Sequence, residues 1–320
     1  MRRETIFELE SLYRSTYSIE AFTFGEGSKE EHPELSIAVM GSLRGDEVQQ
    51  LYIASQLVEH LRRLEERGLV NPDAEIRVIP CGNPFSLNTA TRFWAPDNTD
   101  VNRMFPGYGE GETTQRIAAG IFEALKGYGY GVQLTSFYLP GNFVPHVRMM
   151  NVSEDSDLSI VHGFGMPYAV IRTPEPVDSG TLNYNWQVFD TQAVSLYSER
   201  RGRLDERAAE QALFALLRFM TTLGIITYDL HAGYITTIVK EEHLVSVRAG
   251  RGGLVTGQLP VGRHVFEGAE IATVTDPISG RVLDRVKSPV SGMLFFSGDS
   301  PLVGEDSILY KIIDDRVIVD

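Results

Sequence analysis

The sequence of 320 residues contains a single cysteine, Cys81. One cysteine excludes an intramolecular disulfide, and it also excludes a zinc site built from several thiolates. Any metal in this chain would therefore need histidine and carboxylate ligands.

Long apolar runs are missing as well. No stretch approaches the roughly 18 consecutive apolar residues that a membrane-spanning helix requires. The start, MRRETIFELESLYR, has two arginines but is interrupted by Glu4, Glu8 and Glu10, which is unlike a secretory signal. These features predict a cytoplasmic protein with no membrane partner.

Positive charge is also scarce. The chain has 29 lysines and arginines against 43 aspartates and glutamates, a formal net charge of −14. The largest basic cluster is Arg200-Arg201-Gly202-Arg203, so a nucleic-acid partner is not expected. A small anionic ligand would have to be held by local arginines against the overall field.

Strand and helix patterns alternate through the first two thirds of the chain. Short apolar runs bounded by glycine or turn residues predict strands, and apolar residues at helical spacing predict helices. Thr113 is the expected N-terminal cap of its helix. The pattern predicts an α/β fold with a mostly parallel or mixed sheet flanked by helices, and functional groups at the C-terminal ends of the strands. The predicted strands are Leu35–Met40, Glu75–Cys81, Gly131–Phe137, Tyr168–Arg172 and Gln192–Ser198, and the predicted helices are Val48–Leu64, Thr113–Lys126 and Leu204–Leu223.

From about Tyr234 the sequence changes to short β runs separated by glycine, which predicts domains at residues 1–233 and 234–320. The segments that begin at Gly253 and Gly292 form a weak duplication, similar to the half-repeats of biotinyl and lipoyl carrier domains. Neither half carries the hairpin lysine that such carriers modify. We therefore expect an all-β, barrel-sandwich-like domain with a structural or dimer-forming role, and a possible homo-oligomer.

Three stretches carry a family resemblance. They are GSLRGDE (Gly41–Glu47), NPFSLNTATRFWAPDNTDVNRMFPG (Asn83–Gly107), and LPGNFVPHVRM (Leu139–Met149) followed by Ser179–Glu210. In this order they resemble the succinylglutamate desuccinylase/aspartoacylase family, relatives of the M14-type zinc carboxypeptidases. The resemblance implies a zinc-carboxypeptidase-like fold. It also implies metal-dependent hydrolysis of an N-acyl amino acid or a similar small anionic amide, with zinc on two histidines and a glutamate and a second glutamate as general base.

Transferred residue by residue, the resemblance places Glu47 at the position of the glutamate ligand. Arg44 stands at the position of the first histidine ligand and Thr135 at that of the second. Arginine has no lone pair to donate and a threonine hydroxyl is a poor zinc ligand. Tyr197 occupies the position of the general base, with Glu199 two residues further on.

The substrate-side positions match better. Arg92, Asn102 and Arg103 fall on the family's positions, as does Arg148, and the resemblance implies that they bind substrate carboxylates. Arg92 is also a candidate catalytic residue, beside Tyr197 and Glu199. A structural alternative is that Arg92 and Arg103 form buried ion pairs with Asp97 or Asp100.

Two functional hypotheses remain open. The first is a metal-dependent deacylase, in which Glu47 holds a divalent metal with ligands that the sequence does not identify; His146, His162 and His231 are the histidines considered for a relocated site. The second is a homologue with a degenerate metal site, a possible pseudoenzyme, which binds a small carboxylate ligand without zinc hydrolysis. In the second, an ion pair between Arg44 and Glu47 replaces the metal with a fixed positive charge.

Overall fold

The structure is a computed structural model that describes residues 1–10, 15–151 and 158–317. The chain divides into two compact units. The first consists of Met1–Ser136 and His146–Thr236, and the second of Phe137–Pro145 and Thr237–Asp320. The chain therefore passes into the second unit at residues 137–145 and then returns to the first.

Within the described residues there are eighteen strands and five α-helices. The strands are β1 (Arg2–Glu10), β2 (Thr16–Phe24), β3 (Ser36–Ser42), β4 (Glu75–Cys81), β5 (Tyr130–Thr135), β6 (Gly141–Phe143), β7 (His146–Met150), β8 (Tyr168–Arg172), β9 (Gln192–Tyr197), β10 (Thr237–Lys240), β11 (Leu244–Arg248), β12 (Gly253–Thr256), β13 (His264–Val265), β14 (Glu270–Thr275), β15 (Val282–Lys287), β16 (Gly292–Gly298), β17 (Leu302–Val303) and β18 (Ile308–Asp314). The helices are α1 (Val48–Glu66), α2 (Pro84–Asn88), α3 (Thr113–Leu125), α4 (Leu182–Val188) and α5 (Glu206–Thr222).

Eight strands of the first unit form a mixed sheet in the order β1-β2-β4-β3-β5-β9-β7-β8. The four central strands β4, β3, β5 and β9 run parallel, whereas β2 and β7 pair antiparallel with the strands at their borders. The five strands predicted from apolar runs are all confirmed, with ends that differ by at most two residues. The predicted α/β class with a mixed sheet and an added β region is therefore confirmed.

Helices cover both faces of this sheet. Side chains alternate along a strand, so Ile37 and Val39 of β3 pack with α1 and α5 in one core, while Ala38 and Met40 pack with α3 and α4 in the other. The predicted helices are confirmed, but Thr113 is wrong as the cap of α3. The N-cap residue is Glu112, whose backbone N–H donates to Gln115 Oε1 at 3.0 Å.

The hairpin of β1 and β2 and the short helix α4 were not among the predicted elements. β1 is mostly exposed and carries five charged residues in the segment RRETIFELE, so it lacks the continuous apolar run of a buried strand. Helix α4 has seven residues, too few for its periodicity to be read with certainty from sequence. Its Trp186 is nonetheless fully buried.

The second unit contains two antiparallel sheets. One has the order β11-β18-β16-β13, with β6 also paired to β16, and the other has the order β15-β14-β12-β17. Their shared core includes Ile271, Leu294 and Ile312, all fully buried. Strand β6 comes from the segment at 137–145, which sequence patterns assigned to the first domain. Among the described residues, no helix is long and apolar enough to cross a membrane.

Candidate functional site

The candidate site lies at the C-terminal ends of the central parallel strands. Strand β3 ends at Ser42, and the loop from Leu43 to Glu47 leads directly into α1. Thr135 ends β5 and Tyr197 ends β9, and these two residues are paired in register. This topology brings residues distant in sequence to one edge of the sheet.

The carboxylate of Glu47 is the most enclosed group at this edge, with only 1% of the residue exposed. Its Oε2 accepts from the backbone N–H groups of Leu43 and Arg44, at 3.3 and 3.2 Å. Its Oε1 accepts from the Thr135 hydroxyl at 3.2 Å, and from the Ser136 backbone N–H and hydroxyl at 3.3 and 3.1 Å. Neutral donors therefore surround both oxygens.

Arg44 supplies the positive charge that this buried carboxylate needs. Its Nη1 donates to Glu47 Oε1 at 3.1 Å, and its Nε and Nη2 bind the carboxylate of Asp100 at 2.9 to 3.2 Å. Only 8% of Arg44 is exposed. Burial lowers the pKa of the guanidinium, but the attraction of Glu47 and Asp100 outweighs it, so the pKa lies above its ordinary value. Arg44 is a permanent cation between two carboxylates.

These residues do not fit a zinc ion. An ionised carboxylate offers about four lone-pair directions, and those of Glu47 already accept hydrogen bonds from six donor groups. The guanidinium occupies the space beside them. Across the described parts of the chain, no group of three or more His, Cys, Asp and Glu residues is arranged to hold a metal. The described residues therefore also form no three-ligand site around His146, His162 or His231. His231 is exposed, and its backbone carbonyl accepts from Arg218.

Asp100 does more than pair with Arg44. Its side chain accepts from the backbone N–H of Asn102 at 3.1 Å and caps the short 3₁₀ turn Val101–Arg103. The side-chain oxygen of Asn102 accepts from the backbone N–H of Leu182, the first residue of α4, at 3.2 Å. Asn102 is buried, and this hydrogen bond connects it to the start of α4.

Two further candidate arginines, Arg92 and Arg103, each have a carboxylate neighbour. Arg92 Nη1 donates to both oxygens of Asp46 at 3.1 and 3.2 Å. Arg103 Nη1 donates to the Val177 carbonyl at 2.6 Å and lies 3.8 Å from Asp178. The ion-pair partners are thus Asp46 and Asp178, and not Asp97 or Asp100 as the structural alternative proposed. The side chains of Arg92 and Arg103 remain 16% and 37% exposed.

A second group of side chains surrounds Tyr197. The ring of Tyr197 stacks on that of His146, with centroids 4.7 Å apart and planes 5° from parallel. The guanidinium carbon of Arg148 lies 6.0 Å from the Tyr197 ring centroid. All three residues are buried. Glu199 lies beyond the end of β9, and one of its oxygens accepts from the Arg200 backbone N–H at 2.8 Å.

Sequence reasoning did not identify Ser136, Asp46 or Asp178 as site residues. Ser136 binds Glu47 through two donors, and Asp46 lies inside the GSLRGDE motif one residue before Glu47. A signal for Asp46 was therefore present, since an aspartate next to a ligand position and opposite an arginine is a natural ion-pair partner. Asp178 follows Arg103 by 75 positions, and only the fold brings the two together.

Comparison with known proteins places this geometry in context. Residues 33–136 match the family model described as the succinylglutamate desuccinylase/aspartoacylase catalytic domain. This part of the chain is similar to the catalytic domain of the succinylglutamate desuccinylase/aspartoacylase family. The matched segment includes Arg44, Glu47, Arg92, Asn102 and Thr135, so the positions that the resemblance assigned to metal ligands lie inside it. No curated protein sequence matches the chain.

Solved structures extend the likeness to nearly the whole chain. A succinylglutamate desuccinylase/aspartoacylase from Rhodobacter sphaeroides shares 18% identity and a TM-score of 0.79, covering 98% of this chain and 95% of the other. A succinylglutamate desuccinylase from Silicibacter sp. TM1040 shares 17% identity and a TM-score of 0.80, with coverages of 98% and 95%. The ectoine utilization protein EutE (DoeB) from Ruegeria pomeroyi shares 16% identity and a TM-score of 0.76, with coverages of 93% and 90%. At these identities the likeness establishes a common fold, and family and fold together suggest an activity of the deacylase type.

Proposed function

We propose that this chain is a homologue of the family's deacylases that binds a small carboxylate ligand and does not carry out zinc-dependent hydrolysis. The observation that carries the proposal is the 3.1 Å contact between Arg44 and Glu47, two residues that the family resemblance assigns to metal-ligand positions. A guanidinium can neither accept a substrate oxygen as a Lewis acid nor generate a bound hydroxide. The residues at this position therefore supply charge without the zinc chemistry.

The general-base position supports the same conclusion. By the family resemblance Tyr197 stands there in place of the glutamate, and a phenol is a less usual general base than a carboxylate. Glu199 lies beyond the strand end, where its carboxylate binds the adjacent backbone.

Support for a carboxylate ligand comes from the two partly exposed arginines. Within the described residues, Arg92 and Arg103 each donate hydrogen bonds through Nη1 alone. The N–H groups that remain on each guanidinium are still available to bind both oxygens of a carboxylate. The ligand class is a small molecule with at least one carboxylate, as in the substrates of the family.

Binding is tested by calorimetry of the untagged protein with succinate, using uncharged succinamide as the matched ligand control. Arg92→Gln removes a charge-assisted contact and should weaken succinate binding about tenfold. Arg116→Gln, on the exposed face of α3, is the matched control and should leave binding unchanged. Equal binding of succinate and succinamide, or an unaffected Arg92→Gln variant, would refute the carboxylate site.

Hydrolysis is tested separately with a panel of N-acyl amino acids, in the presence of added zinc and in the presence of a chelator. We expect no zinc-stimulated release of the free amino acid, and no stoichiometric zinc in the purified protein by elemental analysis. Zinc-stimulated hydrolysis that a chelator abolishes and that Glu47→Gln also abolishes would instead establish the zinc-dependent deacylase.

A further inference from the structure

A groove separates helices α1 and α5 on one face of the first unit. It encloses a cavity of about 460 Å³, which is within the size range of small-molecule sites. Ile53, Ala209 and Leu213 line it and are themselves buried, so they form its floor and continue into the core beneath. The groove thus has a preformed apolar base.

The two helices run in the same direction on either side of the groove. At their N-terminal ends, Gln49 Nε2 donates to the Asp205 carbonyl at 3.1 Å, and the Asp205 backbone N–H donates to Gln49 Oε1 at 2.9 Å. The lining extends from Tyr52 to His60 on α1 and from position 206 to 214 on α5. At 1.5 Å per residue each stripe is about 12 Å long. The groove therefore fits an elongated ligand.

Aromatic side chains stand on both sides of the floor. Tyr52 of α1 and Phe214 of α5 are partly buried against the core and line the cavity. Aromatic faces attract cations through the ring quadrupole, and they also bind apolar chains. This combination favours a ligand that joins an apolar body to a positive charge.

The rim of the groove carries an excess of negative charge. Glu206 and Glu210 lie four residues apart and so share one side of α5. Within the described residues, neither forms an ion pair or a side-chain hydrogen bond. One arginine, Arg207, lies among the lining residues, so the carboxylates outnumber the guanidinium. A cationic ligand would complement this negative rim and the formal net charge of −14 of the whole chain.

His60 adds an acceptor at the far end. Its Nδ1 lies 2.9 Å from the backbone carbonyl of Gln56. A carbonyl oxygen only accepts, so Nδ1 carries the hydrogen and Nε2 of the neutral ring is an acceptor. Since the described residues contain no group of three or more metal-ligating side chains, the carboxylates fit an N–H donor and not a metal ion, and His60 offers a separate acceptor at the other end of the groove.

We propose that the groove between α1 and α5 binds an elongated organic ammonium ion, with its apolar body between Tyr52 and Phe214 and its ammonium group at Glu206 and Glu210. This site is formed by residues separate from the arginine site, and it does not rest on the proposed function.

The test uses 2-phenylethylamine as the probe and 2-phenylethanol as its uncharged counterpart, with binding measured by calorimetry on the full chain. The amine should bind, and more tightly than the alcohol, with an affinity that falls as salt is added. The double substitution Glu206→Gln and Glu210→Gln removes two partly solvated charge contacts and should weaken amine binding about fivefold. Glu110→Gln, an exposed glutamate outside the groove, should have no effect.

A second pair of variants tests the location. Gln56→Trp places an indole in the groove and should abolish binding, whereas Ser55→Trp places it on the exposed neighbouring face of α1 and should not. Circular dichroism checks that both variants are folded. Absence of amine binding, equal binding of amine and alcohol, or full affinity in Gln56→Trp or in the double glutamine variant would each overturn the proposal.

Discussion

Replacing Arg44 by methionine tests whether the guanidinium is the structural substitute for a metal. The substitution keeps an apolar chain of similar length but removes the charge that neutralises Glu47. Glu47 cannot reach water, because 1% of it is exposed. Asp100 can, because its side chain is 16% exposed. The cost should therefore come almost entirely from Glu47.

The magnitude follows from what Glu47 retains. Breaking a buried ion pair by removing one partner typically costs about 3 to 5 kcal/mol. In Arg44→Met the Glu47 carboxylate still accepts from Leu43, Thr135, Ser136 and the backbone N–H of residue 44. Part of its solvation is therefore preserved. We therefore expect the free energy of unfolding to fall by about 3 kcal/mol, near the lower limit of that range.

The assay is urea unfolding followed by tryptophan fluorescence. Both tryptophans of the chain, Trp94 and Trp186, lie in the first unit, so the signal reports the unit that carries the substitution. Glu47→Gln and the double variant Arg44→Met/Glu47→Gln complete a double-mutant cycle. The double variant should lose less stability than the sum of the single variants. A loss below about 1 kcal/mol in Arg44→Met, or additive losses, would show that the pair behaves like an exposed surface contact.

Three other outcomes are expected. Gly45→Ala should lower the free energy of unfolding by about 2 kcal/mol, because the added Cβ would lie 2.3 Å from the backbone carbonyl of Ser86. An unchanged urea unfolding curve would contradict this. Burial raises the pKa of Cys81 to about 11, so iodoacetamide should label the folded protein at pH 8 far more slowly than it labels the urea-unfolded chain. The labelling rate of the folded protein should increase up to about pH 11. Equal labelling rates of folded and unfolded chain at pH 8 would contradict this. Arg44→His combined with Thr135→His supplies two imidazoles beside the buried glutamate, and elemental analysis should find about one zinc per chain, against none in either single variant.

The fold could be predicted from the sequence where one pattern determines one element. The segment Glu75–Cys81 matches β4 residue for residue, because a short apolar run between turn residues has few other solutions. The cap of α3 was misplaced by one residue, since threonine has the stronger preference but Gln115 bonds back to Glu112. β1 was not predicted because a charged, exposed strand lacks that apolar run.

The site was predictable only for contacts that are local in sequence. Arg44 and Glu47 are three residues apart, and their contact was predicted from the motif and is confirmed. Asp100, which binds the same guanidinium, is 56 positions away, and no local pattern specifies that approach. Whether the two partly exposed arginines address one ligand together with Glu47 stays a prediction.

The geometry around Glu47 also accounts for how, under the proposed function, this fold accepts arginine at a position that the family resemblance assigns to a metal ligand. The ends of parallel strands and the start of α1 direct backbone and hydroxyl donors at one buried carboxylate, and that carboxylate requires a positive partner, whatever its chemical nature. A zinc ion and a guanidinium both meet this electrostatic requirement. They differ in chemistry, because only the ion has open coordination positions for water and substrate. Under the proposed function, stability of the sheet edge and zinc-dependent hydrolysis are separable demands on this position, and arginine at position 44 satisfies the first without the second.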